Sequence, residues 1–305
     1  MSNPVRGHAD HGGAHAHPID APITAARPPV VVHIPHASTD IPPDIRTQFL
    51  LNDGALCAEL CVMTDHLTDV LFHLPAAVAT TVRYPVSRLV VDPERFAADK
   101  DEPMAARGMG VLYTRTAAQR PLRRPLTSDD REACLERWYR PHHRVLSTVV
   151  DTALAAHGRC LLIDAHSFAS SPLPYEYHQD PNRPDICIGT DAYHTPRAVL
   201  DLVVGLCEGV GWRVAVNRPF AGALVPMRHY HQDARVTAVM IEVNRRLYLD
   251  EATGAAGPSF TDCLARLQNV LRQLLATSGG WSHDKWAGVA ETARDALAPA
   301  LGRDT

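Results

Sequence analysis

From residue 30 to residue 243, short β-branched runs recur along the chain and are separated by longer stretches with helical spacing. This alternation restricts the fold more than any other feature, because strands separated by helices pair side by side and leave the helices to cover the sheet. Strands are predicted at 30–34, 77–83, 89–92, 160–164, 186–189, 213–217 and 238–243. Several are apolar at nearly every position, which suits central strands covered on both faces. Ser128 opens a helical pattern that runs to Gly158 with a kink expected at Pro141, and Thr195-Pro196 opens another that ends near Gly209. Leu264, Leu267, Leu271 and Leu274 stripe a later helix. The expected architecture is α/β, a three-layer α/β/α sandwich around a mostly parallel central sheet.

A chain of 305 residues, 46% of them hydrophobic, can close one large core without dividing. Residues 28–280 are therefore taken as one catalytic domain, with 281–305 as its C-terminal helical extension. Residues 1–27, rich in Gly, Ala and Pro and carrying His8, His11, His15 and His17, have no periodicity and are expected to be a disordered tail. A net charge of -4 gives no field to attract nucleic acid or an anionic membrane, so a small-molecule substrate is expected. Oligomeric state leaves no mark in this pattern. No apolar run is long enough to span a bilayer, and residues 1–29 lack the apolar centre of a signal peptide, which points to the cytoplasm. The seven cysteines show no paired framework and are read as reduced core residues.

Chemistry-bearing residues gather where strands end. Val30-Val-Val-His33-Ile-Pro-His36 runs off a buried strand, and ligands of open α/β sheets bind at the carboxyl ends of strands. Pro35 breaks the strand and leaves His36 in the loop. A helix over 55–72 would put Leu56, Leu60, Met63, Leu67 and Leu71 on one stripe and Asp65 and Asp69 on the other side, among Ala58, Cys61 and Val62. Carboxylates in apolar surroundings need partners, either a cation or arginines, and the helical spacing does not choose between the two aspartates. Asp164 precedes His166 by two residues at the end of another apolar strand, close enough to orient its ring. Glu242 sits inside a third. Two histidines, a further carboxylate and a base are what a metal hydrolase requires. No G-x-S-x-G elbow and no phosphate-binding glycine loop occurs.

These residues fall in ordered blocks: His33-Ile-Pro-His36-Ala-Ser, Thr64-Asp65-His-Leu-Thr-Asp69, Ser87-Arg88-Leu-Val-Val-Asp92, Asp164-Ala-His166-Ser167 and Ile241-Glu242-Val-Asn-Arg245-Arg-Leu-Tyr248. In that order the chain resembles the N-formylglutamate amidohydrolase family. The resemblance implies a zinc-exopeptidase-like fold and hydrolysis of an N-acyl amino acid, with N-formyl-L-glutamate as the namesake substrate. It implies His36, Asp65 and His166 as ligands of Zn2+ or another divalent transition metal, and Glu242 as general base. Arg88 and Arg245 would hold substrate carboxylates, with Asp164, Asp69 and His33 supporting the ligands from behind. The chain departs from the family pattern at Asp92-Pro-Glu94-Arg95, where the family favours asparagine before the arginine, and around Pro184–Thr190 and Tyr193-His194. Alternatives are a hydrolase of another N-acyl amino acid or small peptide and, from a different class, a metal-binding or delivery protein using the His-rich tail.

Overall fold

The computed structural model describes residues 28–277, so the expected tail at 1–27 and extension at 281–305 lie outside the described residues. Six strands form one sheet in the order β2-β1-β3-β6-β4-β5, with β1 Val30–Ile34, β2 Thr80–Arg83, β3 Cys160–Phe168, β4 Ile186–Gly189, β5 Val214–Val216 and β6 Val236–Asn244. Every neighbouring pair is parallel except β4 against β6, so the sheet is mostly parallel as expected. A small hairpin-like pair, β7 Leu249–Asp250 and β8 Ala255–Ala256, stands apart.

The helices are α1 Pro43–Arg46, α2 Asp53–Met63, α3 Thr68–Leu71, α4 Ser128–Cys134, α5 Arg140–His157, α6 Arg197–Gly209 and α7 Phe260–Thr277. One face of the sheet, carrying Val30, Val32, Ile163 and Ile241, packs on apolar residues of α3, α6 and α7. The other, carrying Val31, Leu162 and Ala238, packs on Leu146, Val149, Val150 and Ala153 of α5. This is the three-layer arrangement. Side chains alternate faces along a strand, so His33 follows Val31, Asp164 and His166 follow Leu162, and Glu242 follows Ala238 on the α5 side. A separate cluster around Phe49, Met63, Leu89 and Tyr113 packs the long connection after β2 against the α1–α2 region.

Several expectations are corrected. Residues 89–92 form a buried turn, with Val90 N–H donating to Ser87 O and Asp92 N–H to Val111 O; an apolar run signals burial and does not by itself make a strand. The helix over 55–72 is broken. α2 stops at Met63, Thr64 is extended, and Leu67 turns left-handed at φ 61 before the single turn of α3. The break is fastened from outside, since Asp65 N–H donates to His36 O at 2.9 Å and the Thr68 hydroxyl donates to Asp65 O at 2.8 Å. Finally, the kink expected at Pro141 is a π-helical stretch, Leu135–Tyr139, joining α4 to α5, and the N-cap of α4 is Thr127, in a capping box with Asp130. The cysteines are all free thiols, but Cys57 is exposed and Cys61 only half-buried, so five of the seven lie in the core.

Candidate active site

At the carboxyl ends of β1, β3 and β6 the α5 side of the sheet opens into a cavity of about 570 Å³, a size common for small-molecule sites. β3 and β6 are in register there, with His166 paired to Glu242, which brings imidazole and carboxylate to neighbouring positions on one face. His36 reaches the same place from the loop after β1, and its ring centroid lies 5.0 Å from that of His166. Asp65 arrives through the helix break, its Oδ2 3.3 Å from His166 Nδ1 and 3.6 Å from His36 Nδ1. The break therefore chooses Asp65 over Asp69. Asp69 instead pairs with Arg83 at 3.1 Å, a third exposed and away from the cluster, which corrects its expected supporting role.

The donor set fits a cation. His36 Nε2–H donates to Asp92 Oδ1 at 2.8 Å, which leaves the Nδ1 lone pair facing Asp65 and His166. That Nδ1 is buried without a hydrogen-bond partner. A carboxylate fixing the tautomer of a histidine whose other nitrogen lacks a partner is the arrangement of metal-ligating histidines. Two imidazoles and one carboxylate also match the mixed ligand sets of hydrolytic zinc centres. Burial favours the neutral form of Asp65, but the hydrogen bond from His166 and the nearby Arg245 charge outweigh it and hold the carboxyl well below its usual range. Burial alone would keep His166 neutral, whereas Asp164 and Asp65 raise its pKa well above the ordinary value.

Glu242 is the counterpart. It is buried, its Oε2 has no hydrogen-bond partner, and loss of solvent pushes its pKa up to about 7; His166 opposes that rise and Asp65 adds to it. A carboxylate held near neutral pH can both take and give a proton.

The arginines of the site differ in how their donors are used. Arg88 donates through Nη2 to Asp92 at 2.9 Å and through Nε to the Tyr113 hydroxyl at 3.0 Å. Arg245 donates through Nη2 to Asp65 at 2.9 Å, through Nη1 to Val62 O at 2.6 Å and through Nε to Ser167 at 3.2 Å. Both line the cavity, yet these donors are committed to holding Asp92 and Asp65 in place. Arg95 also lines the cavity, its buried Nε lacks a partner, and its nearest carboxylates, Asp92 and Glu102, stand off at 3.7 and 3.9 Å. Sequence reasoning passed over Arg95 because it lies in an irregular loop; the only available signal was its place in Asp92-Pro-Glu-Arg95. His33 and Asp164 are joined at 3.0 Å beside His166, and Asp164 also accepts from Leu224 N–H. His194 stays outside, its Nδ1 hydrogen-bonded to Val236 O.

The family model described as N-formylglutamate amidohydrolase matches residues 28–249. The chain belongs to that family. Among relatives of the N-formylglutamate amidohydrolase family, the N-formylglutamate deformylase of Pseudomonas putida is 28% identical over 275 residues, spanning 85% of this chain and 96% of its own. The crystal structure of N-formylglutamate amidohydrolase from Ralstonia eutropha JMP134 shares the fold at a TM-score of 0.71 and 23% identity, covering 88% of this chain and 95% of that one. A gene product of Agrobacterium tumefaciens is more distant, with a TM-score of 0.54, 20% identity and coverage of 84% and 94%. Among the described residues no helix is long and apolar enough to cross a membrane.

Proposed function

We propose that this amidohydrolase is metal-dependent and cleaves N-formyl-L-glutamate to formate and glutamate. The observation that carries the reading is the meeting of His36, Asp65 and His166 beside Glu242 at the floor of a cavity that also holds Arg95. His36 through Nδ1, Asp65 and His166 would hold a divalent transition ion, zinc first, which when bound supplies Lewis acidity toward the acyl oxygen and makes a water more acidic.

The remaining work falls to the chain. Glu242 takes a proton from the attacking water as the new C–O bond forms at the formyl carbon. It then returns that proton to the departing nitrogen as the C–N bond breaks, so the neutral amine and formic acid form, the carboxylate is restored, and the second proton of the water is lost to solvent as the acid ionises to formate. A pKa near 7 suits both transfers. Arg95 supplies the uncommitted guanidinium that a glutamate carboxylate needs, and a planar fork can engage both oxygens. Asp92 orients His36, and Arg245 keeps Asp65 ionised and aimed.

Formate release from N-formyl-L-glutamate, compared with N-acetyl and N-succinyl glutamate and with N-formyl aspartate and glycine, tests the assignment. The formyl glutamate substrate should be preferred and a chelator should abolish turnover. Preference for another acyl group would move the substrate assignment, and full activity after exhaustive chelation would remove the ion.

A further inference from the structure

Beside the first cluster, among the described residues, stands a second group able to ligate a cation: His33, Glu94 and Asp164. His33 Nδ1 lies 3.0 Å from Asp164 Oδ1 and 3.1 Å from Glu94 Oε1. Its other nitrogen is 2.8 Å from His142 Nε2, at the start of α5, so that a Nε2–H donated to His142 turns the Nδ1 lone pair toward two carboxylate oxygens. In that tautomer the lone pair faces both anions, so either a proton on Nδ1 or a metal cation has to lie between them. A proton on Nδ1 points at one acceptor well, whereas a cation serves both oxygens and the nitrogen together. On the remaining side His166 Nε2 stands 3.2 Å from Asp164 Oδ1 and 3.9 Å from Glu94 Oε2, buried and without a hydrogen bond.

The ion-pair partners of Glu94 and Asp164 among the described residues are these imidazoles, while the nearby guanidiniums of Arg88 and Arg245 hydrogen-bond to Asp92 and Asp65. Glu94 and Asp164 line the same cavity that would receive an anionic substrate. An anion entering past Glu94 and Asp164 meets two carboxylates whose ion-pair partners among the described residues are imidazoles, and a divalent cation between them would lessen the repulsion in this poorly solvated place.

We infer that His33 Nδ1, Glu94 and Asp164 form a second divalent-cation site adjoining the first, so that the loaded enzyme carries a pair of ions. One imidazole and two carboxylates suit zinc, manganese or cobalt. The His33–His142 contact gives this site the same outer support that Asp92 gives His36. The inference builds on the reading of the first cluster as a metal centre, and the test separates the two.

Full-length protein loaded with Zn2+, then dialysed, is assayed for retained ions in four forms: wild type, His36→Ala, Glu94→Gln and the double variant. The histidines of residues 1–27 are common to all four, so any ions they hold cancel in the differences. Each single variant should retain one equivalent fewer than wild type and the double variant two fewer. Glu94→Gln retaining the wild-type number overturns the second site and leaves the first untouched. A double variant that loses only one equivalent also overturns it, because both changes would then have removed the same ion. His36→Ala retaining the wild-type number instead removes the first centre. Independently of any variant's folding, wild-type protein loaded with Mn2+ should show the spin-coupled resonance of a close pair. Only the isolated-ion spectrum would again overturn the inference.

Discussion

Two stretches of one pleated surface have opposite characters. On the α5 side of the sheet, Val31, Leu162 and Ala238 are sealed under Leu146, Val149, Val150 and Ala153. Two to four residues farther along the same strands, on the same side, stand His33, Asp164, His166 and Glu242, equally buried. The backbone and the register are shared; what changes is the cover. Over the first stretch α5 offers a continuous apolar stripe, and over the second its first turn offers His142 and His143 and then gives way to the cavity. The first stretch stabilises the fold through apolar burial. In the second, buried charges carry a desolvation cost that is offset only because Asp65, Asp92 and Asp164 are each hydrogen-bonded to a histidine or an arginine.

The sharpest way to break this comparison is Glu242→Gln. It should lower kcat by about 10²–10⁴-fold, with metal content and melting temperature unchanged. Near-normal turnover would strip the second stretch of its assigned chemistry. The same group sets a pH dependence whose sign follows from its burial. Glu242 must be ionised to accept a proton, and its pKa is raised to about 7 from 4.5, so kcat/KM should fall as pH drops through about 7. The rate at pH 5 should be about 100-fold below the plateau, since each pH unit below the pKa removes about tenfold of the ionised form. An acid limb near 4.5 would show that loaded Glu242 is not held as its surroundings dictate. In the first stretch the corresponding change is Leu146→Ala, expected to cost about 2–5 kcal/mol of stability in denaturant unfolding while the folded fraction keeps its kcat. Loss of kcat without loss of stability would erase the contrast.

Much of this architecture can be read from the residues because β-branched runs and turn signals coincide with buried strands: β1 and β4 fall where expected, and β3 and β6 extend only a few residues past the expected ends. His36, His166 and Glu242 stand out because they are ionisable residues inside or just past the ends of apolar strands, whereas Asp65 is level with Asp69 on helical spacing and is singled out only by the family resemblance. The helix break at Thr64 was not, since neither glycine nor proline marks it and its fastening is a hydrogen bond to His36 O, distant in sequence. Residues 89–92 misled because burial in a turn and burial in a strand leave the same apolar run. Arg95 and Glu94 were passed over for a related reason. They sit in a long connection without periodicity, where only the folded arrangement reveals which guanidinium is committed and which is left facing the cavity.

A smaller effect sharpens the second stretch from behind. Asp92→Asn keeps the shape of the contact to His36 but removes the charge that fixes its tautomer. Metal affinity should fall about 10–100-fold, measured by competition with a chromophoric chelator, and an unchanged affinity would mean that His36 is not a ligand.

The smallest expected effect separates two aspartates that a continuous helix would have placed on one face. Asp69 meets Arg83 at 3.1 Å with both side chains about a third exposed, so Asp69→Asn should change stability by less than about 1 kcal/mol and leave metal content and kcat untouched. Asp65→Asn, by contrast, leaves Arg245 buried beside a neutral amide and takes the carboxylate from between His36 and His166, and both metal and turnover should go. If Asp69→Asn lost the ion as well, α2 and α3 would have to form one helix in solution, and the break at Thr64 that delivers Asp65 to the cavity would not exist.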